Sequence, residues 1–280
     1  MHERPHVPRR RPMPTVLLSK VAPSRRGPRM RALIGALTLL ALCATGAASA
    51  QAYSTGAEVI RAVDQRPTPP TVQSTLTMTI TSGGGQSLSR TMSMWSASDD
   101  RLIKFTAPAN IAGSGFLIVA HADGSEETMV YLPALGRVRR IAAGQQSASF
   151  FGSDFSYEDI TGIAFDDYAW KLRSIGDGPS YVVRGNRKPG AGSSYPQLVV
   201  HVPESTLIPT RIEYVRDGEV VKVLTVADVH RVGDYLIAGE RRMESLSSGN
   251  VVSFTVIEQS GVKLDTTIPP EVFSERFLRQ

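Results

Sequence analysis

VQSTLTMTITSGGGQSLSRTMSM, residues 72–94, is the stretch on which the fold turns. Leu76, Met78 and Ile80 alternate with Thr75, Thr77, Thr79 and Thr81. That period of two puts an apolar row and a hydroxyl-bearing row on opposite faces of a strand. Gly83-Gly84-Gly85 is a hairpin turn, and beyond it Leu88, Met92 and Met94 share one face with Ser89, Thr91 and Ser93 on the other.

The same grammar continues downstream. Strands are predicted over Leu102–Phe105, Gly115–Ala120, Glu127–Leu132, Arg137–Ile141, Tyr168–Ser174, Ser180–Gly185, Gln197–Val202, Ile208–Arg216, Glu219–Val232, Tyr235–Ser245 and Val251–Lys263. Short turn signals separate them, at Asp99-Asp100, Asp123-Gly124, Asp177-Gly178, Asp217-Gly218 and Ser248-Gly249-Asn250. Upstream, Thr55 to Arg66 reads as one amphipathic helix with Val59, Ile60 and Val63 as its stripe and Pro67 as its stop. Nothing alternates strand with helix, so doubly wound and β/α-barrel architectures are excluded in favour of an antiparallel meander. So many consecutive strands must close, split into two sheets or curl around something, and the pattern supports a curled antiparallel sheet.

Composition misleads until the chain is divided. Arg9-Arg10-Arg11, Arg25-Arg26 and Arg29-Met30-Arg31 precede an apolar run from Ala32 to Ala44, closed by Ala48-Ser49-Ala50. This reads as a signal peptide cleaved after Ala50, with Met30 as an alternative start. Cys43 follows the bulky Leu42, so the lipobox pattern is not met, and residues 51–280 carry no cysteine. Residues 1–50 hold 9 Lys/Arg and 1 Asp/Glu. Removing them from totals of 31 and 26 leaves 22 basic and 25 acidic side chains, a formal charge of −3. The basic pI therefore belongs to the leader and gives no support to nucleic-acid binding.

The stretch YLPALGRVRRIAAGQQSASFFGSDFSYEDI, residues 131–160, holds the candidate functional residues. Arg137, Arg139 and Arg140 form a basic turn, with Arg137 and Arg139 on one face of a strand. Planar guanidinium suits a phosphate head group or an acidic linker, and the same three residues also suit a solvated hairpin. Phe150, Phe151, Phe155 and Tyr157 flank Gly152-Ser153-Asp154 as an aromatic wedge, read as a core plug that becomes a lid if it moves. Asp154 or Ser156 would cap a short helix starting near Tyr157. Met78, Met92 and Met94 suit either an adaptable pocket or an ordinary core.

Catalytic chemistry finds no foothold. His121, His201 and His230 lack a second histidine at metal-ligand spacing, and there is no G-x-S-x-G elbow or phosphate loop. The acidic pairs Asp99-Asp100 and Asp166-Asp167 read as turns, without the ligand spacing of a calcium loop. The expectation is a protein that is not an enzyme and uses no cofactor or metal.

Phe105-Thr106-Ala107-Pro108 through Gly113-Ser114-Gly115-Phe116-Leu117, then Tyr131-Leu132-Pro133, Arg137–Ile141 and Phe151–Asp159, resemble the blocks of the LolA-like outer-membrane lipoprotein-sorting family. The resemblance implies a mainly β fold, an incomplete β-barrel of curled antiparallel sheet, as a single domain over 51–280 with a few short helices as lid. It implies a periplasmic carrier of lipid or lipoprotein acyl chains, moving them to or from the outer membrane. Leu76, Met78, Ile80, Met92, Met94, Ile103 and Phe105 would line its cavity, and Arg137, Arg139, Arg140, Phe150, Phe151, Phe155 and Tyr157 its rim and lid. An RND-type inner-membrane exporter is the implied partner. The alternative is a periplasmic module that senses lipid or lipoprotein and acts with a membrane transporter or regulator. The mature protein is expected to begin at Gln51, and intact-mass measurement of the periplasmic fraction should find that terminus; a diacylated species starting at Cys43 would overturn it.

Overall fold

The computed structural model of the protein describes residues 53–280, apart from Gly124, residues 176–178 and the side chains of Ala143 and Ile175. The leader, its cleavage site, Cys43 and the Asp177-Gly178 turn lie outside the described residues.

The N-terminal helix α1 spans Gly56–Asp64. Thr55 Oγ1 accepts from the Glu58 amide at 3.2 Å and Glu58 Oε2 accepts from the Thr55 amide at 3.0 Å, a reciprocal capping box. The helix ends two residues short of the expected Arg66, because the residue before a proline is pushed out of the helical region and Pro67 follows. Val59, Ile60 and Val63 are its buried stripe, as the sequence spacing requires.

Thirteen strands follow. They are β1 (Thr71–Ser82), β2 (Ser87–Ala97), β3 (Asp100–Ala107), β4 (Gly115–Ala120), β5 (Glu126–Leu132) and β6 (Arg137–Arg140), then β7 (Tyr168–Ile175), β8 (Ser180–Arg187), β9 (Gln197–Pro203), β10 (Arg211–Arg216), β11 (Glu219–Val232), β12 (Tyr235–Ser247) and β13 (Asn250–Leu264). The strand expected from Ile208 begins instead at Arg211, since Pro209 has no amide to give the ladder. All thirteen make one antiparallel sheet in the order β6-β5-β4-β3-β2-β1-β13-β12-β11-β10-β9-β8-β7. Two meanders thus meet where β1 pairs β13, with Met78 opposite Ile257. The sheet is not closed, and its free edges are β6 and β7.

A flat sheet of this width would measure roughly 58 Å from edge to edge at about 4.8 Å per strand spacing. Yet Met78, Met92 and Phe116 share one apolar cluster with Val183, Leu198 and Tyr214 from the other half. The sheet is therefore curled, with these side chains on its concave face. Residues 141–167 run from edge strand β6 to edge strand β7, and Phe150, Phe155 and Tyr157 of that crossing pack into the same cluster. The expected curled antiparallel sheet with short helices is what forms.

The convex face of β3–β5 is also covered. Leu102, Leu117 and Met129 pack against Val272, Phe273 and Leu278 of the C-terminal turn Pro270–Phe273 and helix α3 (Glu275–Arg279). This second core was absent from the sequence reading, because five helical residues carry too little periodicity to register. Its seam is tight: a Cβ on Gly115 would meet Leu278 Cδ1 at 2.6 Å.

Glycine decides the docking of α1. A Cβ on Gly56 would lie 2.5 Å from the Lys171 carbonyl carbon and 2.7 Å from the Leu172 amide of β7. Gly56→Ala should lift the helix from β7 and destabilise by about 1–3 kcal/mol, a fall in Tm of roughly 2–4 °C per kcal/mol. Gly192→Ala, where nothing lies within 4 Å, should leave thermal unfolding unchanged.

Candidate functional site

The crossing segment is organised around a tight loop. Phe150 donates its amide to Phe155 O at 2.7 Å, Ser153 donates to Phe150 O at 3.0 Å, and Ser149 Oγ donates to Ser153 O at 2.6 Å. Phe151 and Gly152 turn the chain with φ of +50° and +78°. The second suits glycine; the first is a left-handed phenylalanine, costing about 1 kcal/mol. In return the loop drives two phenylalanines at the sheet. Phe150 meets Phe116 edge-on at 5.3 Å between ring centroids, and Phe151 lies 4.5 Å from Phe105. Tyr157 stacks on Phe116 at 5.7 Å.

Three acidic side chains then fasten the segment at three places. Asp154 reaches β12 and β13: its carboxylate accepts from Ser245 Oγ at 2.6 Å, from Ser253 Oγ, and from Thr255 Oγ1 at 2.7 Å. Thr255 Oγ1 in turn accepts the Asp154 amide at 3.0 Å. Ser156, not Asp154, caps the short helix α2 (Tyr157–Thr161), in a capping box with Asp159. Glu158 is buried and accepts from Ser193 Oγ, from the Ser194 amide at 3.0 Å and from Ser194 Oγ at 2.6 Å, ahead of β9. Asp159 Oδ2 accepts from Lys222 Nζ of β11 and from the Tyr195 hydroxyl, both at 3.2 Å. Its other oxygen is buried without a partner among the described residues.

These acids set the tyrosines beside them. Burial, with help from Glu158 and Asp167, pushes the Tyr168 hydroxyl up to about 12, although Ser193 opposes the shift. Burial also raises Tyr195 strongly, and Asp159 adds to it. The tyrosines stay neutral donors to the carboxylates and carbonyls around them.

Two arginines of the sheet hold the segment's backbone. Arg90 donates to Phe151 O, and Arg101 Nη1 donates to Ile160 O at 2.7 Å. The sequence reading had singled out neither. Nor had it singled out Ser245, Ser253 and Thr255, which look like ordinary alternating strand positions until Asp154 arrives.

A cavity of about 210 Å³ lies between the crossing segment and the β5–β6 edge. Val130, Leu132, Leu135, Ile141 and Ala148 form its apolar walls; Arg137, Arg139, Gln145, Ser149 and Tyr157 supply its polar ones. Arg140 points the other way, pairing with Glu127 and lying 3.7 Å from Glu275. Leu76, Met78, Ile80, Met92, Met94, Ile103 and Phe105 all sit on or against the concave core, where Met78, Met92 and Phe105 are under 2 % exposed. None of the seven borders the cavity. Phe150 and Phe155 are buried beneath the segment, while Phe151 and Tyr157 remain half-buried. Among the described residues no group of three or more His, Cys, Asp or Glu is placed to hold a metal, and no helix is long and apolar enough to cross a membrane.

A family model described as an uncharacterised protein matches residues 97–280. Among solved structures, a DUF1329 family protein from Desulfovibrio piger is 28% identical, with a TM-score of 0.71 over 80% of this chain and 97% of its own. A domain assigned to outer membrane lipoprotein sorting in Vibrio parahaemolyticus is 24% identical, with a TM-score of 0.72 over 80% of this chain and 98% of its own. A LolA superfamily protein from Nitrosomonas europaea is 18% identical, with a TM-score of 0.63 over 80% of this chain and 100% of its own. The last two likenesses establish the fold. No curated protein sequence matches the chain.

Asp154→Asn leaves an amide where three hydroxyls need an acceptor. It should cost about 2–4 kcal/mol, since hydrogen bonds to a charged group carry about 1.5–3 kcal/mol each and the strands can relax in part. Thermal unfolding should report that loss, and limited proteolysis should cut first within residues 141–167. Arg140→Ala, on an exposed pair, should change stability by no more than about 1 kcal/mol.

Proposed function

Because this chain belongs to the family whose model spans residues 97–280, a LolA-like fold family, we propose that it is a periplasmic carrier of lipid or lipoprotein acyl chains. The observation that carries this reading is the cavity under the crossing segment, which joins an aliphatic wall to Arg137 and Arg139. That combination suits an amphiphile with an anionic end. Export by the leader 1–50, transfer to or from the outer membrane and partnership with an RND-type inner-membrane exporter belong to the same proposal.

Size argues for movement. Pockets that enclose a whole small ligand run to roughly 300–1,000 Å³, so about 210 Å³ accommodates part of an amphiphile. An acyl chain needs the concave face itself, where Phe150 and Phe151 pack on Phe105 and Met78 and Met92 lie buried in the same cluster. The acidic anchors all lie after Gly152, at Asp154, Glu158 and Asp159. Before Gly152, residues 142–151 are held by Arg90 and by backbone bonds such as Tyr157 N to Ala148 O at 3.0 Å. The lid in this proposal is therefore the first half of the crossing, hinged at Gly152, with the second half as its fixed mount. Arg137 and Arg139 lend its mouth positive charge and so draw anionic amphiphiles toward it.

Extraction of the purified protein with organic solvent should release lipid identifiable by mass spectrometry. Phe151→Ala should speed exchange of a fluorescent phospholipid several-fold, at a stability cost of about 2–3 kcal/mol because the ring is only half-buried. Met78→Lys, folded but with a charge on the apolar face, should lose most lipid uptake. No extractable lipid and no exchange by the native protein would overturn the carrier reading. Unchanged exchange in Phe151→Ala beside a large stability loss would make the segment a static plug.

A further inference from the structure

The concave face of a purely acyl-binding half-barrel calls for hydrocarbon, and this one carries Arg101 and Arg241 in addition to Arg90, which stands in register with Met78 and donates to Phe151 O. Arg101 stands on β3 in register with Ile118 of β4, and Arg241 on β12 in register with Ile257 of β13. Ile118 and Ile257 both belong to the concave cluster. From opposite halves of the sheet the two side chains reach into one interior. Each retains partial exposure, so each remains accessible from solvent.

Neither is neutralised. Among the described residues no carboxylate oxygen lies within 4.0 Å of either guanidinium, whereas Arg140, Arg211, Arg242 and Arg279 all have such a partner. A guanidinium offers five N–H donors. The acceptors found are one backbone carbonyl each, Ile160 O at 2.7 Å for Arg101 and Ala238 O at 3.3 Å for Arg241. Desolvation depresses both pKa values, with Glu126 offsetting it at Arg101 and the positive charge of Arg101 adding to it at Arg241. Arginine nonetheless stays charged at neutral pH. Two like charges that act on one another in a desolvated place, with no carboxylate in contact among the described residues, are unfavourable unless something anionic joins them.

We propose that Arg101 and Arg241 form an anion-binding site inside the half-barrel, which seats the carboxylate or phosphate head of an amphiphile whose chain lies along the apolar concave face. The site rests on the lipid-carrier reading and deepens it: it makes the cargo anionic and makes the interior, not only the Arg137–Arg139 mouth, select for charge. An anion there would use the remaining donors and share Arg101 with Ile160 O, so that head-group binding and the fixed mount of the crossing segment meet at one side chain.

The test is calorimetric titration of the delipidated mature protein with decanoate, decyl phosphate and decanol, which differ in their heads and share a chain. The native protein should bind at least one of the two anions about tenfold or more tightly than decanol, since charge-assisted hydrogen bonds are the strong ones. The better of decanoate and decyl phosphate identifies the head as carboxylate or phosphate. Arg101→Gln and Arg241→Gln should each bring that ratio toward one while leaving decanol affinity within about twofold. Equal affinity of the native protein for all three would overturn the anion site and leave the carrier reading intact. Binding of none would overturn both. Because the Arg137–Arg139 mouth also attracts anions, the variants decide the question: a preference that survives in a folded Arg241→Gln protein, or in Arg241→Met should the first not fold, would overturn the site.

Discussion

Asp154 carries its carboxylate into the interior at the one place where β12 and β13 offer it three hydroxyls, Ser245, Ser253 and Thr255. An ionised carboxylate there without donors would be prohibitive, and with them the bonds are charge-assisted and directional. The rest of the arrangement depends on that contact. It pins the middle of the 141–167 crossing to β12 and β13, beside the seam between the two meanders, and so fixes where Phe150 and Phe155 meet the sheet. The open sheet has a concave face too wide for its own side chains to cover. The segment that joins its two edges is the covering.

Charge is distributed unevenly between the two partners in that contact. The crossing segment contributes the acids, Asp154, Glu158 and Asp159, each met by hydroxyls, amides or Lys222. The sheet contributes arginines, and Arg90 and Arg101 address backbone carbonyls of the same segment. The acids are thus met by donors, except for one buried oxygen of Asp159, while Arg101 and Arg241 on the concave side touch no carboxylate among the described residues. Ordered this way, the segment is held to the sheet and its loops by carboxylate contacts, and Arg90 and Arg101 of the sheet address the segment's carbonyls. The asymmetry about Gly152 follows from it: the half after the glycine is bolted to β11, β12, β13 and the loop ahead of β9, and the half before it supplies most of the segment's share of the cavity wall.

The convex face contributes in a quieter way. Val272, Phe273 and Leu278 close over Leu102, Leu117 and Met129, so β3–β5 are buried on both faces. Arg140, at the end of β6, pairs with Glu127 and approaches Glu275 on this outer side. The strand edge that bounds the cavity is therefore steadied from behind, and the three arginines of the basic turn divide into two that face the cavity and one that serves the scaffold.

Period-two alternation from Val72 onward was enough to specify strands, their faces and an antiparallel meander, because the face of a strand residue is a local property of the extended backbone. The helix after Thr55 and its stop before Pro67 were legible for the same reason: each is made by residues within a few positions of one another, while the cap of α2 stayed open between Asp154 and Ser156. The aromatic and basic residues of 131–160 were recognisable as candidates, yet their roles were not. Which of Arg137, Arg139 and Arg140 faces a cavity depends on what lies opposite β6. Asp154 could be read as a cap as readily as an anchor, since its partners Ser245, Ser253 and Thr255 are about a hundred residues away. The curl that brings β3 and β12 to one interior, the cover over the methionine face and the placing of Arg101 and Arg241 on one concave face are likewise long-range. Local sequence determined the strands and their two faces; only the closing of distant strands around the crossing segment decided which of those faces would be filled, which charges would be paired and where space would remain.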